Sequence, residues 1–77
     1  MTRLPIVSFR TMNGVLLRLG FTAVRQKSSH VFYRHPDGRT TTVPNQPGRD
    51  LARPLFREIL REIELSPEEF ADELADL

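Results

Sequence analysis

Apolar residues near the start of the chain recur three and four positions apart, which is the spacing of one helix face. Ser8 stands just before this stripe and can cap the first helical turn, and Gly20 suits the position just after the last turn. The pattern therefore predicts a helix between these two residues. Its apolar positions are Phe9, Met12, Val15, Leu16 and Leu19.

The middle of the chain changes to strand-like segments separated by turns. Residues 21–26 are rich in Phe, Thr and Val, and residues 30–34 alternate strictly between two faces. The run His-Pro-Asp-Gly at 35–38 favours a tight hairpin turn, since Pro presets the first turn angle and Gly tolerates positive φ. Threonines favour a third strand over residues 39–43. The segment predicts three antiparallel strands.

Two further helices are predicted in the last third of the chain. Pro54 fits the first turn of one of them, where its missing N–H has no helical partner. Ser66 and Glu69 form a capping box for the other, with Pro67 at its first position. The helix that begins near Pro54 has an expected buried stripe of Leu55, Ile59, Leu60 and Ile63, with Leu51 and Phe56 at its margins. The second has an expected apolar face of Phe70, Leu74 and Leu77.

This order predicts a single α+β domain over residues 1–77, with an α-β-β-β-α arrangement and a short C-terminal helix. Amphipathic helices need an apolar surface to cover, and one face of a three-stranded antiparallel sheet provides it. The helices should therefore lie on one face. The other face, with His30, Phe32 and Arg34, should stay partly open to solvent.

The net charge of +1 conceals a strong segregation of charge. Residues 1–57 hold ten of the eleven basic residues and two of the ten acidic ones, while residues 58–77 hold the other eight acids. A basic body with an acidic tail suggests a polyanionic partner such as nucleic acid, although both could simply be solvated surface. Arg supplies all but one of the basic residues, which favours bidentate phosphate contacts.

Composition excludes several kinds of site. The chain has no cysteine, so it has neither disulfides nor thiolate metal ligands, and two histidines cannot complete a zinc site alone. No apolar run approaches the roughly 20 residues needed to cross a bilayer, and the N-terminus lacks a signal-peptide core. We therefore expect a cytoplasmic protein without a membrane partner, a metal ion or a small-molecule cofactor.

His30 is the sharpest candidate for chemistry. It begins a strand directly after the polar, cationic turn Lys27-Ser28-Ser29. Histidine can exchange a proton near neutral pH, and RNA carries its own nucleophile in the 2′-hydroxyl group. Arg25, Lys27 or Arg34 could then stabilise the charge that develops on phosphorus, and Ser29 could donate to a phosphate oxygen. The pattern alone, without further information, favours a sheet histidine with ordinary hydrogen bonds.

The other candidates have simpler explanations. His35 precedes a proline at a turn, where a polar side chain often bonds to the backbone, and Asp37 is first of all a turn residue. Phe32 could stack with an unpaired base or could be half-buried by packing. Asn45 could order the loop that follows it or could contact RNA, and the sequence does not separate these two roles.

Several of these motifs together resemble one protein family. They are Leu-Gly-Phe at 19–21, Val-Arg-Gln-Lys-Ser-Ser-His at 24–30, Arg-His-Pro-Asp-Gly-Arg at 34–39 and Thr-Val-Pro at 42–44. In combination they resemble the HicA toxins, over about residues 8–70. The resemblance implies a fold like a double-stranded RNA-binding domain, cleavage of messenger RNA that arrests growth, and a HicB-type antitoxin. It assigns the catalytic role to His30.

The resemblance and the charge pattern together define a predicted site. The residues expected to contact RNA are Arg25, Lys27, Ser28, Ser29, Arg34 and Arg39. Three places depart from the family's usual pattern: Ser28 replaces a common glycine, Asn45 stands where a histidine is frequent, and Arg53-Pro54 replaces Gly-Thr. If the turn needs positive φ, Ser28 restricts it.

Three functions remain open at this point. The first is a metal-independent endoribonuclease toxin that uses His30. The second is an RNA-binding module of the same fold that cleaves nothing. The third is a protein-interaction domain whose basic face docks an acidic partner.

Overall fold

The structure is a computed structural model that describes residues 5–77. Its elements follow the predicted order and confirm an α+β fold of the double-stranded RNA-binding-domain type. β1 and β3 each lie one residue further along the chain than predicted. The elements are α1 (Phe9–Arg18), β1 (Thr22–Lys27), β2 (His30–Arg34), β3 (Thr40–Pro44), α2 (Arg53–Glu62) and α3 (Pro67–Ala75).

The first shift has a visible cause at the end of α1. Gly20 adopts φ +100°, and the backbone amide of Phe21 donates to the Leu16 carbonyl over 2.9 Å. These are the hydrogen bonds of a glycine-terminated helix, so Phe21 completes α1 before the strand begins.

The three strands form an antiparallel sheet with β2 in the centre. The pairing of β1 with β2 is interrupted between Ala23 and Arg25, so Val24 is an extra residue without a partner, a β-bulge. Beyond the bulge, Arg25 lies opposite Phe32. An uninterrupted register would place Val24 there instead. The bulge therefore moves every later residue of β1 to the opposite face of the sheet.

The core lies between the helices and one face of the sheet. Its members are completely or almost completely shielded from solvent, and removing such side chains from water is the main source of stability, at roughly 1.5–3 kcal/mol for each large one. They are Val7, Met12, Val15, Leu16, Phe21, Val31, Tyr33, Val43, Leu51, Phe56, Ile59, Leu60, Ile63 and Phe70.

Several details of the predicted core are wrong. Leu51, expected at a margin, is buried, and Leu77, expected on the apolar face of α3, is exposed beyond the end of that helix. Phe56 was expected at the margin of the α2 stripe, but it is fully buried, while Leu55 is only partly buried. Phe56 packs edge to face against Phe70 of α3, with 4.9 Å between ring centroids. Phe56 therefore belongs to the buried face of α2, where α3 contributes to its burial.

Polar side chains that reach the core are paired. The Tyr33 hydroxyl on β2 donates to Asn13 Oδ1 of α1 over 2.7 Å, and burial raises the pKa of Tyr33 to about 12. The Thr41 hydroxyl likewise donates to Glu62 on α2 over 2.8 Å. These bonds join α1 to β2 and α2 to β3. Across residues 5–77, no helix has the length and apolar character that a membrane crossing requires.

Candidate active site

His30 is the first residue of β2 and lies on the sheet face that the helices leave open. Lys27 is its partner on β1 and Pro44 its partner on β3. The residue is exposed, and none of the residues 5–77 forms a hydrogen bond with its imidazole ring. Both ring nitrogens are therefore free to exchange a proton with a bound molecule.

Hydrogen bonds on both sides fix the turn before His30. Ser28 has φ 56°, in the left-handed region that favours glycine, and its carbonyl accepts from the Gln26 side-chain amide over 3.1 Å. The Ser29 carbonyl accepts from the backbone amide of Asn45 in the loop after β3. These bonds hold the start of β2 in place. The positive φ of Ser28 has a conformational cost of about 1 kcal/mol, because position 28 is not a glycine.

Two guanidinium groups lie over one aromatic ring in the middle of the open face. The Arg25 Cζ atom is 5.4 Å from the Phe32 ring centroid, and the Arg34 Cζ atom is 6.0 Å from it. Phe32 itself is half-buried. Within the described part of the chain, neither these arginines nor Lys27 has a carboxylate at ion-pair distance. The open face is therefore cationic and lacks the internal counter-charges that would cancel it.

The β-bulge at Val24 accounts for this arrangement. In an uninterrupted register, Gln26 would lie opposite His30, and Arg25 would be directed to the helix-covered face. The extra residue places Lys27 beside His30 and Arg25 beside Phe32. The bulge thus brings Arg25, Lys27, His30 and Arg34, four of the residues predicted for the site, to a common surface, with Ser28 and Ser29 in the turn at its edge.

The structure does not bring Arg39 to this surface. Its Nε atom donates to Asp37 Oδ2 over 2.7 Å, another of its nitrogens donates to the Ile63 carbonyl, and its guanidinium lies 5.2 Å from the Phe21 ring centroid. Arg39 precedes β3, and these contacts hold its guanidinium on the side of the core, against the buried Phe21 and the end of α2. In this position Arg39 joins the hairpin to the end of α2.

His35 lies at the same end of the sheet as Arg39 and is held on both ring nitrogens. Nε2 is 3.1 Å from the Leu19 carbonyl, and Nδ1 accepts from the Asp37 amide over 3.1 Å. The ring packs edge-on against Phe21, with 5.0 Å between centroids. A Cβ atom on Gly20 would lie 3.1 Å from Nε2, which is a tight contact, and Gly20 also has φ +100°, so any other residue there would crowd the ring and strain the backbone. His35 therefore stabilises the fold.

Asp37 completes this polar cluster. The Arg39 backbone amide donates to its carboxylate, and this bond, with the Arg39 guanidinium and the charge of His35 when protonated, holds the pKa of Asp37 below its ordinary value. Hydrogen bonds to a charged carboxylate favour the ionised form.

A cleft of about 340 Å³ lies beyond the His30 end of the sheet, between the start of α1 and residues 45–50. It includes Arg10 and Arg49 as well as Asn45, and Asp50 provides one opposing charge. The sequence indicated a loop here but did not show that the loop faces α1. No three His, Cys, Asp or Glu side chains within residues 5–77 lie together as metal ligands.

A family model described as the HicA toxin of bacterial toxin–antitoxin systems matches residues 9–65. The match covers α1, the whole sheet and α2, and therefore most of the chain. The chain belongs to the HicA toxin family. A comparison with curated proteins finds no match. As a HicA toxin, the protein is one component of a toxin–antitoxin system, and the predicted family is confirmed. The acidic helix α3 lies beyond the matched residues.

Proposed function

We propose that this HicA toxin is an endoribonuclease that cleaves mRNA, with His30 as the catalytic acid–base and without a metal ion in the step. One observation carries the proposal. The exposed imidazole of His30 makes no hydrogen bond to another described residue and lies beside Lys27 on a cationic surface. A general base needs such access to the proton that it removes.

The reaction follows from the chemistry of RNA. His30 takes the proton of a 2′-hydroxyl group, and the 2′-oxygen then attacks the adjacent phosphorus. The bond from phosphorus to the 5′-oxygen breaks, and that oxygen takes up a proton from the His30 imidazolium or from water. The products are a 2′,3′-cyclic phosphate and a 5′-hydroxyl end. Lys27 and Arg25 stabilise the negative charge on the phosphorane-like transition state.

The first test is His30→Ala. Loss of a general base lowers rates by about 10²- to 10⁴-fold, so we expect a loss of RNA cleavage and of growth arrest. Arg57→Ala, an exposed change on α2, is the control and should keep full activity. Circular dichroism establishes that both variants fold. Equal toxicity from a folded His30→Ala protein would defeat the proposal.

The second test uses the substrate. A single 2′-deoxynucleotide at the cleaved position removes the nucleophile and should abolish cleavage there, with neighbouring positions unaffected. Cleaved RNA should carry the cyclic phosphate described above. Cleavage of the deoxy-substituted bond at an unchanged rate would rule out the 2′-hydroxyl mechanism.

We also propose that the partner is a HicB-type antitoxin that binds over His30. The support is the cationic surface of Arg25, Lys27 and Arg34, because opposite charge on a partner steers association. Lys27→Glu should weaken antitoxin binding more than Arg57→Glu does. Equal binding by both variants would place the interface elsewhere.

A non-catalytic RNA-binding module is the second candidate. The specific observation in its favour is that Arg25 and Arg34 are grouped around the Phe32 ring, an arrangement that can bind RNA without the His30 imidazole. RNA binding with no cleavage, even with protein in excess, would favour this function. Failure to bind any RNA at low salt would instead favour a protein-interaction domain. Salt dependence alone does not separate the first two candidates, because both bind phosphates.

A further inference from the structure

We propose that Phe32, flanked by Arg25 and Arg34, is a stacking subsite for an unpaired base of single-stranded RNA. The stacked base lies one nucleotide away from the phosphate that faces His30. The inference rests on the proposed ribonuclease function for its substrate, but it concerns binding and is tested by binding.

The position of Phe32 is the first argument. The hydrophobic core lies on the other face of the sheet, with Val31 and Tyr33, so Phe32 is an aromatic residue on the open face. Its partner on β3 is Thr42, a small and exposed residue. An aromatic ring on an open, cationic sheet face matches the platforms on which proteins stack bases.

The charges around the ring are the second argument. The guanidinium groups of Arg25 and Arg34 lie 5.4 and 6.0 Å from the ring centroid and have no carboxylate partner among the described residues. A planar guanidinium can both stack on a base and bind a phosphate with two N–H groups. One base could stack on the Phe32 ring while its two flanking phosphates bind the guanidinium groups of Arg25 and Arg34.

The spacing along β2 is the third argument. His30, Phe32 and Arg34 occupy alternate positions on one face, so neighbours in this row are about 7 Å apart. One nucleotide of an extended single strand spans a similar distance. A base on Phe32 therefore places the neighbouring nucleotide, with its phosphate, beside His30 and Lys27.

This geometry favours single-stranded over duplex RNA. In a duplex, each base is already stacked between its neighbours, and its face cannot reach a protein ring without unstacking. The free-energy cost of unstacking is smaller for an unpaired base than for a base in a duplex. The subsite thus predicts that the sheet face binds unpaired RNA, although the fold is of the double-stranded RNA-binding-domain type.

The test uses protein with His30→Ala, so that the RNA stays intact. The probe is a short single-stranded RNA with a central 2-aminopurine, whose fluorescence is quenched by stacking. Adding Phe32→Leu should weaken binding about tenfold and remove the quenching, as expected for the loss of one base–aromatic stack. Phe32→Trp should retain both. Thr42→Ala, opposite Phe32 on the same face, is the control and should bind normally. Binding of the matching RNA duplex should be the same for all four proteins.

Unchanged affinity and quenching in the Phe32→Leu protein would overturn the subsite, and so would tighter binding of the duplex than of the single strand. The outcome is separable from the catalytic proposal. If Phe32→Leu weakens single-strand binding while His30→Ala still cleaves RNA, the subsite stands and the catalytic role of His30 fails. If His30→Ala abolishes cleavage while Phe32→Leu binds normally, the subsite alone fails.

Discussion

The two histidines of this chain lie at opposite ends of β2 and differ in their hydrogen bonding: His30 begins the strand and His35 follows it. His30 is exposed, and its ring has no hydrogen-bond partner among residues 5–77. His35, five positions later, meets the Leu19 carbonyl with one nitrogen and the Asp37 amide with the other. An imidazole whose nitrogens are both engaged cannot also serve a substrate. The neighbours of each histidine, and not its residue type, therefore decide which one is free for chemistry.

The cations at the two ends differ in the same way. At the His35 end, Arg39 is neutralised by Asp37 at 2.7 Å and also bonds to the Ile63 carbonyl. At the His30 end, Lys27 has no carboxylate partner among the described residues. Unpaired positive charge is what a phosphate-binding surface requires. Arg34 is at the His35 end but lies on the open face, and it too has no carboxylate partner among the described residues. The contrast is therefore between His35 with Arg39, which hold the hairpin (the structural end), and His30 with Lys27, where we propose the chemistry (the functional end).

The largest stability effect is expected at the structural end. His35→Ala removes two hydrogen bonds and an aromatic contact, so it should lower the free energy of unfolding by about 1–3 kcal/mol. His30→Ala breaks no bond within the described chain and should change it by less than about 0.5 kcal/mol. Urea unfolding of both variants measures the difference. Equal destabilisation would remove the distinction between the two ends.

A smaller effect is expected in the turn at the functional end. Ser28 has φ 56°, so Ser28→Gly should relieve backbone strain and raise the free energy of unfolding by about 0.5–1 kcal/mol. Ser29 has no positive φ, and Ser29→Gly should give no gain. Thermal unfolding compares the two. A stabilising Ser29→Gly with a neutral Ser28→Gly would show that the turn has a different conformation in solution.

The smallest effect is expected in acid, again at the structural end. The pKa of Asp37 is lowered in the folded protein, chiefly by the Arg39 backbone amide, so the folded state favours the ionised carboxylate. Its contribution to stability is present above the unfolded pKa and is lost as pH falls below about 4. Asp37→Asn should flatten the pH dependence of stability in this range. Asp72→Asn, an exposed change on α3, should leave the pH dependence of stability unchanged. The opposite pattern would contradict the assignment.

Local patterns in the sequence were sufficient to predict much of this molecule. Helical spacing and caps located α1 and α3, since Ser8 and Ser66 accept from the helix backbone as expected. Strict alternation placed His30 on the face opposite to Val31, which the structure confirms. Such features depend on a few neighbouring residues and are therefore visible in a single chain.

Features that depend on distant residues were not predictable. The bulge at Val24 arises from the pairing of two strands, and the alternation of one strand cannot reveal it. The sequence predicted that Arg39 contacts RNA, and it could not show that the Ile63 carbonyl lies beside Arg39 in the fold. The burial of Phe56 depends in the same way on Phe70 of α3.

The most direct test compares RNA cleavage by His30→Ala and His35→Ala, with each rate divided by the folded fraction of that variant. We predict that His30→Ala loses activity by about 10²- to 10⁴-fold, while folded His35→Ala cleaves at close to the wild-type rate. Comparable activity of the folded His30→Ala protein, or a selective loss in folded His35→Ala, would contradict the assignment of the chemistry to His30.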